Sequence, residues 1–234
     1  MSRIRFILLS AVAVVVMSAF ASATASAHRY VECLKAEAGK GTYEESKCEK
    51  AKAGGEWEKF EIADVKFTGT GGISKLKSSL LKAEIVITCN KAAYAGELEI
   101  AGAGKGEVTL EECSIGNGKE PFSNCEVPNI KFSLVGALVE NAKSEIEEEF
   151  KPTSGTTFVD LAIRNKGEKA CAEKGTFPVK GTQMCEFSSG KIFNVTHEIA
   201  CKPAGSHLSF DGEVATFESD RSIGTASNDA WAVE

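Results

Sequence analysis

Eight cysteines following an apolar leader constrain this 234-residue chain more than any other feature. The leader reads "MSRIRFILLSAVAVVVMSAFASATASA", with Arg3 and Arg5 as a basic start, an apolar run from about Phe6 to Phe20 and small residues closing it. That is the pattern of a secretory signal peptide over residues 1–27, with small-x-small sites whose last member predicts cleavage after Ala27 and a mature chain beginning at His28. The expected location is therefore secreted or extracellular, with retention at the cell surface left open. In that oxidising setting an even cysteine set reads as four disulfides. Zinc is not expected, because no pair approaches Cys-x-x-Cys spacing. Eight cysteines allow 105 connectivities. Joining neighbours across hairpin-like text predicts Cys33–Cys48, Cys113–Cys125 and Cys185–Cys201, which leaves Cys89 for Cys171.

Periodicity sets the fold class. "AEIVITC" alternates Ile85, Ile87 and Cys89 with Glu84, Val86 and Thr88, and "NIKFSLVGALVEN" puts Ile130, Phe132, Leu134 and Leu138 on one side. "TTFVDLAIRN" sets Val159, Leu161 and Ile163 against Asp160 and Arg164, and "KIFNVTHEIAC" sets Phe193, Val195, Ile199 and Cys201 against Asn194, Thr196 and Glu198. Period two is the signature of strands, and the 22 glycines punctuate them in phrases such as "AGAGKGE" and "FDGEV" where direction must reverse. The expectation is an all-β fold: an antiparallel β-sandwich or barrel-like domain of about ten strands, stapled by disulfides. Residues 28–57 carry few alternating apolar positions and read as a short N-terminal cysteine loop, with the β domain over 58–234. "SKLKSSLLKA" and "NAKSEIEEEF" are rich in helix formers, yet Ile146, Glu148 and Phe150 alternate with Glu145, Glu147 and Glu149 and Pro152 follows. Both segments read as strands, the second as an edge strand whose acidic run is a solvated face.

Charge narrows the partners. Asp and Glu number 33 against 27 Lys and Arg, and loss of Arg3 and Arg5 with the leader makes the mature chain more acidic still. A surface of that sign repels phosphate backbones and anionic lipid, which argues against nucleic acid as a partner. No segment after the leader approaches 18 unbroken apolar residues, so no transmembrane segment is expected in the mature chain.

The phrase "GTYEESKCEKAKAGGEWE" resembles a signature, Gly-x-Tyr-x-(Asp/Glu)-x-x-Cys followed by Gly-x-(Tyr/Trp)-Glu, of a large group of functionally uncharacterised, secreted, cysteine-containing proteins of soil actinobacteria. "ITCNKAAYAGELEIAG", "VTLEECS", "KPTSGTTF", "CAEKGTFPVKGT" and "HEIACKPAGSHLSF" are similar to further phrases of that group, in the same order. The resemblance implies an exported, β-rich, disulfide-stapled protein and carries over no catalytic residue. Members usually have fewer cysteines.

Candidate chemistry is sparse. A first-residue histidine can bind copper through its amino and ring nitrogens with a second histidine, so His28 with His197 or His207 is a candidate copper site of a polysaccharide oxidase. A large residue, Arg29, follows His28 and counts against it. There is no Gly-x-Ser-x-Gly elbow, and the glycine phrases lack the terminal Lys-Ser/Thr of a phosphate loop. No cofactor is expected. The leading expectation is a secreted, non-catalytic binding module for a glycan, a protein or another cell-envelope component, with Trp57, Tyr94 and Trp231 as candidate residues of an aromatic ligand face. The alternative is a carrier of a small apolar ligand, which requires a closed cavity of several hundred Å³ lined by Phe and Leu.

Overall fold

The computed structural model describes residues 28–79 and 84–234, so the leader and its cleavage site lie outside the described residues. Fifteen strands occupy most of that span. The first four are β1 (Tyr30–Lys35), β2 (Gly41–Tyr43), β3 (Ala51–Gly55) and β4 (Trp57–Glu61). Then come the long strands β5 (Val65–Ser78), β6 (Ile85–Leu98) and β7 (Ala103–Gly116), followed by the two-residue β8 (Cys125–Glu126). The rest are β9 (Ile130–Glu140), β10 (Ile146–Pro152), β11 (Thr157–Asn165), β12 (Gly175–Phe187), β13 (Thr196–Phe210), β14 (Glu213–Thr225) and β15 (Trp231–Val233). Among the described residues the helical content is one 3-10 turn at Ile100–Gly102, and no helix is long and apolar enough to cross a membrane.

Eight strands close into an antiparallel barrel in the order β10-β9-β7-β6-β5-β14-β13-β12, with β12 pairing back onto β10. Barrel neighbours follow one another along the chain, with β8 inserted between β7 and β9 and β11 between β10 and β12, except at the closure, where β14 pairs with β5, from Ala215↔Ser78 to Thr225↔Phe67. The alternation read from the sequence now has a direction. Ile130, Leu134 and Leu138 of β9 point into the barrel and are buried, while Lys131, Ser133 and Val135 face outward. Closure abolishes the open edges that an antiparallel sheet would otherwise expose.

The strand expected at the acidic run is present as β10, but it is not an edge. It lies between β9 and β12, from Ile146↔Glu140 to Pro152↔Leu134 on one side and Glu147↔Glu186 to Phe150↔Gln183 on the other. β11 continues along the same side of β12, pairing Thr157–Ile163 with Gly175–Lys180. β10 and β11 therefore act as one interrupted stave.

The segment over residues 28–57 is not a loop. β1 to β4 form a five-stranded sheet, ordered β15-β1-β4-β2-β3, whose outer strand comes from the far end of the chain, and the expected boundary at Trp57 falls at the start of β4. Alternation is hidden in β1 because four consecutive residues, Tyr30 to Cys33, are buried, two on each face. Tyr30 and Trp231 join the barrel core, whereas Val31, Cys33, Cys48, Phe193 and Ala232 form a second small core covered by Tyr43 and Trp57. This sheet caps one end of the barrel.

Two of the four disulfides follow the expected pairing, Cys33–Cys48 and Cys185–Cys201. The other two are Cys89–Cys113 and Cys125–Cys171, not Cys113–Cys125 and Cys89–Cys171. Register decides this. The β6–β7 reversal at Ile100–Gly102 sets Cys89 directly opposite Cys113, with Cα atoms 3.9 Å apart. Cys125 is carried by β8 to the end of β11, where Asn165↔Cys125 pair and the following loop brings back Cys171.

Candidate functional site

Inward-facing side chains do not fill the barrel. A cavity of about 80 Å³ remains, lined mainly by apolar groups that include Leu76, Ile87, Leu110, Leu134, Leu208 and Phe217. Every stave contributes between two and four lining residues, as expected of an eight-stranded barrel, whose interior is just wide enough to be filled by side chains or to hold one small ligand.

The buried charges lie where Tyr30 of the small sheet reaches the lumen. Arg221 of β14 and Glu148 of β10 are both buried and lie 3.5 Å apart across the lumen, Nη2 to Oε2. The Tyr30 hydroxyl, reaching in from β1, donates to Glu148 Oε1 at 3.1 Å. Two rings flank the Arg221 guanidinium, Phe150 at 4.4 Å and Tyr94 at 5.0 Å from its central carbon. Gly136 makes room for the acid, since a Cβ there would meet Glu148 Oε1 at 2.4 Å. Burial pushes the Glu148 carboxyl up from its ordinary range, while Arg221 and the Tyr30 hydroxyl pull it back. Burial, and then the neighbouring Glu148 charge, hold the Tyr30 hydroxyl well above 10, so it remains a donor. One atom of the cluster is unmatched: Arg221 Nε is buried without a hydrogen-bond partner.

Beside the cluster, the Ser219 hydroxyl sits 2.9 Å from Ser74 Oγ and 3.1 Å from the Tyr94 hydroxyl. Gln183, which also lines the cavity, is fully engaged: its amide nitrogen donates to the Met184 and Lys202 carbonyls and its oxygen accepts from Ser206.

The wall has a seam. β9 is hydrogen-bonded to β10 only from Leu134 onward, and β11 runs beside the first part of β9 with no ladder between them among the described residues. The gap is closed by rings instead: Phe132 of β9 meets Phe158 of β11 edge-on at 6.0 Å. Both rings are only half-buried and both line the cavity. Ring contacts part more readily than a β-ladder, so the wall is held least firmly here.

The aromatic residues proposed for a ligand face do not share one. Trp231 is fully buried between barrel and small sheet, packed edge-on against Tyr30 at 6.0 Å. Tyr94 is inside the barrel, and Trp57 covers the second core. The three histidines are likewise separate. His28 sits 3.4 Å from Glu140, whose carboxyl is held low by Ser144 and then by His28. His197 is fully buried at the start of β13, and His207 lies exposed near its other end, roughly 30 Å away by strand rise. His197 Nε2 donates to the Trp231 carbonyl at 2.7 Å, which fixes the tautomer and leaves Nδ1 as the lone-pair nitrogen of a fully buried ring. The one cluster of potential metal donors among the described residues, Cys125, Cys171 and Glu173, contains two sulfurs already joined to each other.

Arg221 and Glu148 were missed by sequence reading. "SDRSIG" reads as a turn and the acidic run as a solvated face, because the side of the strand that carries Phe217 and Ile223 is interrupted by Ser219 and Arg221, which breaks the apolar alternation. A charged residue at an inward position was the available signal. Larger surface hollows exist, one of about 420 Å³ between the start of β10 and the β12–β13 connection. Several carboxylates on its rim are already occupied, Glu147 by Asn141 and Glu186 by Lys202. Compared with known protein families, with curated proteins and with solved structures, the chain finds no match in any of the three, so its own geometry carries the functional reading.

Proposed function

We propose that this protein is an exported, non-catalytic carrier that holds a small apolar molecule in the lumen of its barrel, taken in through the Phe132–Phe158 seam. The observation that carries the reading is the unfilled, apolar cavity of about 80 Å³ behind a wall closed at one place by two rings rather than a ladder; it is smaller than the several hundred Å³ expected of such a carrier, which restricts the reading to a very small ligand. Native cores are packed to crystal-like density, so an unfilled lumen forfeits contacts that a ligand would restore. An apolar cavity of about 150 Å³ takes up benzene, so this lumen accepts a molecule of a few heavy atoms, and any greater length leaves through the seam. Four disulfides suit work in an oxidising extracellular medium. Among the described residues, no hydroxyl or thiol that lines the main cavity is hydrogen-bonded to a histidine or a carboxylate, which favours retention over conversion.

The test is methyl-resolved NMR of the secreted protein under xenon and with 2-methylbutane. Shifts are expected at the Leu110, Leu134 and Leu208 methyls, and they should vanish when Leu208→Trp fills the lumen. If none of these methyls responds to either probe, the carrier reading is wrong.

A further inference from the structure

We infer that the ligand carries a neutral hydrogen-bond acceptor, of the ketone, aldehyde, ester or amide class, whose carbonyl oxygen seats against Arg221 while its apolar body occupies the cavity above. This rests on the lumen being the binding site. The first ground is the orphaned donor. Arg221 Nε makes no hydrogen bond, the residue is 8% exposed, and it lines both the main cavity and a smaller one of about 20 Å³ beneath it. Buried donors are nearly always matched, and an unmatched one on a side chain that lines a ligand-sized space marks where an acceptor belongs.

The second ground is a count of donors. Ser74, Tyr94 and Ser219 bring three hydroxyl hydrogens and share two hydrogen bonds, so one O–H remains to donate. The acceptor on the opposite wall, Gln183 Oε1, is already taken by Ser206 at 2.6 Å. The floor therefore holds two unmatched donors, Arg221 Nε and one hydroxyl, and unpaired donors are the costlier kind to leave buried, so a group that accepts satisfies it.

The third ground is charge. Among the described residues, the buried charged side chains lining the two cavities are Arg221 and Glu148, one of each sign and 3.5 Å apart. A carboxylate ligand would leave a net negative charge in an apolar lumen, whereas a carbonyl leaves the balance untouched. The Phe150 and Tyr94 rings hold the guanidinium in place before any ligand arrives. The competing occupant of the Nε site is a single water, for which the smaller cavity is just large enough.

Three molecules of one shape decide between these. 2-Butanone, 2-methylbutane and propionate each have five heavy atoms on the same branched skeleton, and their dissociation constants are to be measured by NMR on the wild type and on the charge-neutral double variant Arg221→Met/Glu148→Leu. The ketone-to-hydrocarbon affinity ratio should be at least tenfold higher in the wild type than in the variant, a comparison that cancels their different solubilities in water. Propionate should bind the wild type at least tenfold more weakly than 2-butanone. The carbonyl ¹³C resonance of bound, labelled 2-butanone should move downfield from its position in an apolar solvent, a readout that needs no variant. An unchanged ratio, an unmoved carbonyl or tighter binding of propionate overturns the inference while 2-methylbutane still reports on the lumen. Failure of all three probes to perturb any lumen methyl overturns the carrier reading and this inference with it.

Discussion

Glu148 illustrates how one side chain takes its role from the strand around it. It belongs to a run of acids, but its neighbours Ile146 and Phe150 face inward and so does it. Placing a carboxylate and a guanidinium inside a barrel costs desolvation that their attraction scarcely offsets, so the pair is weak support for the fold and its removal as a unit is tolerable. Removing one partner is another matter, because the survivor stays charged and buried. Arg221→Met alone and Glu148→Leu alone are each expected to lower stability by about 3–5 kcal/mol, and the double variant to recover most of that loss. Urea unfolding of the four proteins gives the coupling. Two additive single effects would mean that the groups do not depend on each other. Gly136 enters the same cycle: a Cβ at that position meets the Glu148 carboxylate at 2.4 Å and the Phe150 ring at 3.2 Å, so Gly136→Ala should destabilise the wild type more than the Glu148→Leu background, where only part of the crowding remains.

At the scale of elements, the short strand β15 fixes the small sheet to the barrel. Trp231 donates its indole N–H to the Val195 carbonyl, accepts from His197 Nε2, and exchanges backbone hydrogen bonds with Asn194. The His197 ring stacks obliquely on the Trp231 ring at 4.1 Å, and its Nδ1 has no partner. Burial lowers the His197 pKa from its ordinary 6.5, so the folded chain refuses a proton that the unfolded chain accepts. The sign follows. Above about pH 6.5 both states are neutral at this residue and it contributes nothing to the pH dependence; as pH falls below that value the unfolded state gains a proton and stability declines. His197→Gln removes the titration, and its stability should fall less steeply than the wild type's between about pH 7 and pH 5. Equal slopes in urea midpoints would show that His197 is not the group responsible. The seam makes an element-scale prediction of its own. Phe132→Cys with Phe158→Cys, once oxidised to a disulfide, should slow the arrival of 2-methylbutane at the Leu208 methyls at least tenfold, and reduction should restore it. Unchanged exchange would place the way in elsewhere.

For the whole molecule, what could be read from the sequence was whatever depends on the nearest few residues. The period-two runs at Ile85–Cys89, Ile130–Leu138 and Val159–Ile163 gave strands that the structure contains, because alternation requires only that one face be buried. Closure of the sheet was not readable, since it rests on β14 meeting β5 across the length of the domain. The same limit explains the disulfides and the site. Cys185 and Cys201 lie opposite one another in a local hairpin and were found, whereas placing Cys125 beside Cys171 requires knowing that β8 returns to the end of β11. Arg221 and Glu148 are invisible for a related reason: each meets its partner only after the barrel closes. This long-range bridge should also matter most to stability. In the chain-entropy account a crosslink's contribution grows with the loop it closes, giving about 4 kcal/mol for the 46-residue separation of Cys125–Cys171 and about 3 kcal/mol for the 15 and 16 of Cys33–Cys48 and Cys185–Cys201. Pairwise Cys→Ala replacement, followed by urea unfolding, should therefore rank the loss of Cys125–Cys171 as the costliest of these three by roughly 1 kcal/mol. An order in which Cys33–Cys48 dominates would show that the small sheet, not the barrel, is what the sulfur bridges chiefly hold.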